Sequence, residues 1–170
     1  GLGDVYKRQT YSSEEEHEAV GKNSETNNQV VKIEVGTNGL PKAASGTGWS
    51  FDETTGLTIT GTGSEDTEYI LDGTVSCNVT VKNANSHTVY LLDGTVTGTL
   101  LIEADNMYGV RVLGGSYADV QLNLGTIDGG TYDKLTENGG NVRGGFFRDI
   151  SGLSTDTQRE APVSYTHLRA

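Results

Sequence analysis

Few side chains in this 170-residue chain are of a type and spacing that could do chemistry. Asp72 and Asp93 recur 21 residues apart, each inside a Leu-Asp-Gly-Thr-Val segment. Two carboxylates held close raise the pKa of one and suggest paired-carboxylate hydrolysis. The same position is Gly114, Gly129 and Gly144 in three further copies. The aspartates therefore read as turn residues, tolerated for backbone conformation rather than selected for acidity. Tyr69 and Tyr90 share the 21-residue spacing and are flanked by apolar positions. Two rings stacked outward would offer a sugar-stacking platform, or simply pack on each other across a sheet surface. Trp49 is a third candidate for glycan contact, its plainer role being to cover the open end of a core. Cys77 reads as a small apolar residue. His17 and His87 fall in an acidic segment and a turn, so no catalytic triad and no metal pair can be assembled. No metal and no cofactor is expected. Thr58-x-Thr60 and Thr95-x-Thr97-x-Thr99 do not recur from copy to copy, which sets aside an ice-lattice array. Asn85 with Asn106, and Asn123 with Asn138, read as stacked turn amides.

What must position these residues is a repeat. Leu71-Asp72-Gly73-Thr74-Val75 returns at 92–96, then as Leu113-Gly114-Gly115-Ser116-Tyr117, each 21 residues on. Steps of 15 follow, to Asp128-Gly129-Gly130-Thr131-Tyr132 and Arg143-Gly144-Gly145-Phe146-Phe147. Gly73, Gly94, Gly115, Gly130 and Gly145 form an invariant turn column, expected to take left-handed backbone in one file. Apolar columns flank it: Ile70, Leu91, Val112, Ile127 and Val142 before, Val75, Val96, Tyr117, Tyr132 and Phe147 after. A second face shows in Val79 and Val81 against Leu100 and Ile102, continued by Val120, Leu135 and Ile150. A 21-residue repeat without helical periodicity holds three short strands and three turns, stacked at roughly 4.8 Å. The expected fold is all-β, a parallel β-helix with coils of about 21 and then 15 residues. Val30 to Val35 alternates as a strand, and Trp49–Phe51 with Leu57–Thr60 suggests a hairpin leading into the coils.

Composition excludes other classes. A formal net charge of −11 repels phosphate backbones and anionic lipid, against nucleic-acid and membrane-surface partners. Gly is 24 of 170 residues, too many for a helical protein, while 2 Pro are too few for a linker or collagen. No apolar run approaches a membrane span, and a single Cys makes no intrachain disulfide.

The repeats resemble parallel β-helix proteins of the pectin-lyase-like class, within it large secreted bacterial surface proteins. The likeness lies in Gly46-Thr47-Gly48-Trp49-Ser50-Phe51-Asp52, Leu57-Thr58-Ile59-Thr60 and the coil mark Gly129-Gly130-Thr131-Tyr132. Gly144-Gly145-Phe146-Phe147 departs from that mark at the Thr. The resemblance implies an extracellular or cell-surface location, and together with the usual crossover preference it implies right-handed winding. Its lyases use calcium-binding acids and a basic residue. Arg111 and Arg143 are the available bases, but alignment of the repeats puts no aspartate cluster about either. The expected function is a non-catalytic stalk or adhesin-like module contacting glycans or host or cell-surface polymers. The alternative is a truncated polysaccharide lyase or glycoside hydrolase.

Both ends read as translated sequencing adapter: Asp4-Val5-Tyr6-Lys7-Arg8-Gln9 and Val163-Ser164-Tyr165-Thr166-His167-Leu168 are one DNA element in opposite directions. The expected organisation is adapter scar at 1–9 and an acidic polar linker at 10–29. Strand and hairpin follow at 30–66, coils at 67–155, a polar tail at 156–162 and adapter scar at 163–170.

Overall fold

A computed structural model describes residues 20–160; the expected scars, and the linker and tail residues 10–19 and 161–162, lie outside the described residues. The described chain is all-β, a curled mixed sheet of 14 strands followed by one short helix, α1 (Thr155–Glu160). Strand β1 (Val20–Lys22) is antiparallel to β2 (Gln29–Glu34), so residues 20–29 form a hairpin where a solvated linker was expected. Its turn closes through Asn23 N–H to Asn28 C=O at 2.9 Å, with Asn27 in left-handed backbone. Strands β3 (Ser45–Gly46), β4 (Trp49–Asp52) and β5 (Gly56–Ile59) form an antiparallel meander, which contains the expected hairpin.

From β6 onward pairing is parallel and falls into three ladders. The remaining strands are β6 (Thr67–Val75), β7 (Val79–Val81), β8 (Val89–Glu103), β9 (Val110–Val112), β10 (Ser116–Leu124), β11 (Thr126–Ile127), β12 (Thr131–Glu137), β13 (Asn141–Val142) and β14 (Phe146–Asp149). The first ladder registers Val31, Tyr69, Leu91, Val112, Ile127 and Val142 through β2, β6, β8, β9, β11 and β13. The second registers Val75, Val96, Tyr117, Tyr132 and Phe147, the column read from the sequence. The third registers Leu57, Val79, Leu100, Val120 and Leu135. The three columns meet in one apolar core. Alternation along each strand explains this: inward β-branched, Leu and aromatic residues are buried while the polar residues between them reach solvent.

The rings of the second column stack, Tyr117 on Tyr132 at 5.5 Å and Tyr132 on Phe147 at 5.1 Å between centroids. Each tyrosine also closes its own turn: Tyr117 Oη donates to Gly114 C=O and Tyr132 Oη to Gly129 C=O, both at 2.6 Å. The Gly-Gly-x-Tyr pattern thus has a mechanical reason, because the phenol satisfies a turn carbonyl three residues back.

The glycine column holds in part. Gly115, Gly130 and Gly145 have φ of 111°, 102° and 109°, and Thr131 N–H and Phe146 N–H bond the carbonyls of Gly115 and Gly130 at 2.8 and 2.9 Å. Gly73 shares the positive φ, at 135°, but Gly94 does not, and Gly73 abuts Val35 while Gly94 abuts Leu71. The single file expected at 73 and 94 is corrected by a register slip between Ile70 and Thr74. The expected polar tail carries α1, too short to show helical periodicity; Ser154 caps it by accepting from Thr157 N–H at 3.1 Å. Glu137 anchors that cap, accepting from Ser154 N–H at 2.9 Å and Thr157 Oγ1 at 3.1 Å.

Candidate functional site

Of the three rings proposed for glycan contact, two are inside. Tyr69 is 0% exposed and its hydroxyl donates to Thr47 C=O at 2.8 Å. Trp49 is 5% exposed, registers against Ile59 and belongs to the core. The outward pairing of Tyr69 with Tyr90 is corrected: Tyr69 registers with Leu91, and Tyr90 has Glu68 beside it. Aligning the Leu-Asp-Gly-Thr-Val segments puts Ile70 opposite Leu91, but a bulge between Tyr69 and Ile70 shifts the strand by one. A one-residue slip moves every side chain to the opposite face.

Tyr90 does stand on the outer face, half-buried, and a cluster surrounds it. Arg111 is its register partner on β9, and the guanidinium carbon lies 5.9 Å from the Tyr90 ring centre and 5.7 Å from that of Tyr108. Asp128 sits between two arginines: Arg111 Nε donates to Oδ2 at 2.9 Å, and Arg143 Nε lies 3.6 Å from Oδ1. Tyr108 is 47% exposed. Its loop is pinned by Tyr108 N–H to Asn106 Oδ1 at 2.9 Å, Thr126 Oγ1 to Met107 C=O at 2.7 Å and Thr88 Oγ1 to Tyr108 C=O at 3.1 Å.

The electrostatics fix protonation. The hydrogen bond to Asp128 pushes Arg111 above its ordinary pKa, outweighing its partial burial. Burial pushes the Tyr90 phenol up, and the Asp66 carboxylate adds to this while the nearby Arg111 cation opposes it. Both hold their protons at neutral pH, so these two groups present donors and aromatic faces. Asp128 was legible only as a turn residue before Gly129-Gly130. Arg143 is its column mate one 15-residue step later, whereas the approach to Arg111, 17 residues earlier, is diagonal and strict column alignment does not reveal it.

The other candidate groups are structural. Asp72 lies 3.8 Å from Lys32 Nζ, and Asp93 registers with Ile70, so the two aspartates are not a pair. His87 Nδ1 is 3.6 Å from Asp66. Asn138 Nδ2 donates to Asn123 Oδ1 at 2.8 Å, the expected amide stack, whereas Asn85 bonds Gly63 C=O and Asn106 bonds Asp105. Glu68 escaped the sequence reading although it is a charged residue only 2% exposed. It accepts from Asn23 Nδ2 at 2.8 Å, Thr26 Oγ1 at 2.7 Å and Asn28 Nδ2 at 2.8 Å. Those donors all come from the hairpin that composition marked as linker. Their bonds to both oxygens offset the cost of burying the charge and staple the hairpin to β6. Among the described residues no group of three or more His, Cys, Asp or Glu could hold a metal ion. Compared with known proteins, the chain matches no family model, no curated protein and no solved structure.

Proposed function

We propose that the chain is a non-catalytic segment of an extracellular or cell-surface, right-handed parallel β-helix, a stalk or adhesin-like module that contacts glycans. Three parallel ladders sharing strand β8, with matched columns at 21- and 15-residue steps, support the helical winding. The resemblance to secreted surface proteins supports the location. The observation that carries the contact reading is Arg111 held between the Tyr90 and Tyr108 rings and fixed by Asp128. Aromatic faces take the C–H face of a pyranose, and a guanidinium fixed at Nε keeps its terminal N–H groups for hydroxyls. A cation whose proton is held this firmly is unsuited to abstracting one, which favours binding over lyase chemistry.

The test is a glycan array probed with the intact chain and with a Tyr90→Ala, Tyr108→Ala double variant. Binding to a defined glycan set that the double variant loses supports the reading. Equal binding by both, no binding by either, or turnover of a bound polysaccharide overturns it.

A further inference from the structure

A second feature lies away from the Tyr90 cluster, on the outer face of the second ladder. Thr95, Thr97, Ser116, Thr131, Asp133 and Arg148 line a groove of about 160 Å³ across β8, β10, β12 and β14. That room equals roughly five waters at about 30 Å³ each. It suits one six-membered sugar ring and falls well below the roughly 300–1,000 Å³ that drug-sized ligands occupy.

Its polar groups are of two kinds. Thr95, Ser116 and Thr131 follow one another in register, giving a file of short hydroxyls that donate and accept. Asp133 Oδ1 and Arg148 Nε meet at 2.9 Å, and both side chains are more than half exposed. That bond uses one oxygen and one nitrogen, leaving Oδ2 an acceptor and the terminal guanidinium nitrogens donors, side by side. Adjacent hydroxyls of a sugar need this pairing, one donating to the carboxylate while its neighbour accepts from the guanidinium. Phe146 registers with Thr131, on the same face of β14 as Arg148, and its ring is 58% exposed. The core gains nothing from a phenyl placed there, whereas a sugar's C–H face does.

We infer that this groove binds one neutral hexose unit through a vicinal diol, with Asp133 and Arg148 reading the hydroxyls and Phe146 as the apolar platform. The inference rests on the glycan-contact reading for its ligand class but occupies a different surface. Neutrality follows from charge: carboxylate and guanidinium cancel, and Asp133 stands where an acidic sugar would bring a second carboxylate.

The experiment is an amide-shift titration of the ¹⁵N-labelled full chain with methyl glucoside, methyl galactoside and methyl mannoside, and separately with galacturonic acid. A neutral glycoside is expected to shift the amides of Thr95, Ser116, Thr131 and Asp133 saturably. Asp133→Ala, Arg148→Ala and Phe146→Ala, each with a dispersed folded spectrum, are expected to weaken it at least tenfold, with Glu53→Ala, an exposed residue of the turn between β4 and β5, unchanged. Stronger shifts from galacturonic acid, shifts confined to residues 90, 108 and 111, or none at all overturn the inference. The second of these leaves the Tyr90 platform standing, and a failed array with a successful titration does the reverse. An effect lost equally in Glu53→Ala also overturns it.

Discussion

The first half of the parallel region and the second solve the same packing problem differently. Between Gly73 and Gly94 the interior is filled by Val75, Val79, Val81, Val89 and Leu91, all buried and all aliphatic. Between Gly115 and Gly130 the inward hydrophobic residues are Tyr117, Val120, Leu122 and Ile127, and in the next step Tyr132 and Leu135 are the fully buried ones. A 15-residue step has fewer inward positions, so one flat ring must cover what several aliphatic side chains cover in 21. Register follows the same division. β6 against β8 and β8 against β10, pairs without ring-on-ring contact, each slip twice, whereas β12 carries its pairings to β10 and β14 without a shift. Stacked rings resist slipping because each is matched to a specific ring, Tyr132 to one on either side. Interchangeable valines do not enforce a frame in this way, and β6 absorbs its bulge with five consecutive buried residues, Thr67 to Leu71.

If the rings carry the second half, removing one must cost more than removing an aliphatic residue of the same column. Tyr132→Ala is expected to lose about 3–5 kcal/mol, by analogy with large aromatic deletions, read from chemical denaturation. Val96→Ala, two methyl groups smaller, is expected to lose about 2 kcal/mol. Equal losses would break the comparison.

Alkali gives the next effect. Burial holds the phenols of Tyr117 and Tyr132 well above their ordinary value. A raised folded pKa means that stability is intact below the unfolded value near 10 and is lost as pH rises above it. Each ring then loses about 1.4 kcal/mol per pH unit, so together they lose about 3 kcal/mol by roughly pH 11. Phenolate absorbance from these two should appear only as circular dichroism reports unfolding. Ionisation ahead of unfolding would place them in solvent. A smaller loss attends Gly130→Ala. With φ at 102° and the new Cβ 2.8 Å from Tyr132 Oη, about 2 kcal/mol is expected, since both backbone and ring must yield.

The sequence showed the second half better than the first, for the same physical reason. Val75, Val96, Tyr117, Tyr132 and Phe147 could be aligned by counting, because each turn keeps Gly at one offset from its inward residue. Tyr69 could not, because a bulge is a backbone event with no residue signature of its own, and one position decides between core and surface. The Tyr90 cluster was half legible. The 15-residue step places Asp128 and Arg143 in one column, but the bond from Arg111, 17 residues before Asp128, runs diagonally between columns. Glu68 was hidden by its donors, since Asn23, Thr26 and Asn28 look solvated until a buried carboxylate collects them.

The smallest effect separates the ring from its hydroxyl. Phe147 completes the stack without a phenol oxygen, so stacking alone is tolerated at that position. Tyr132→Phe keeps the ring and removes one bond to Gly129 C=O, leaving that turn carbonyl without this donor. A loss of about 1 kcal/mol is expected, near the net value of a single hydrogen bond and well under the cost of deleting the ring. Tyr117→Phe should match it, because the geometry at Gly114 is the same. The double variant should also flatten the alkaline loss, since its stack has no phenols left at these two positions to ionise. If Tyr132→Phe costs as much as Tyr132→Ala, the turn bond rather than the stack sets the frame of the 15-residue steps. In that case Phe147, ring without hydroxyl, is the weak position of its column, and Phe147→Ala should then cost far less than Tyr132→Ala.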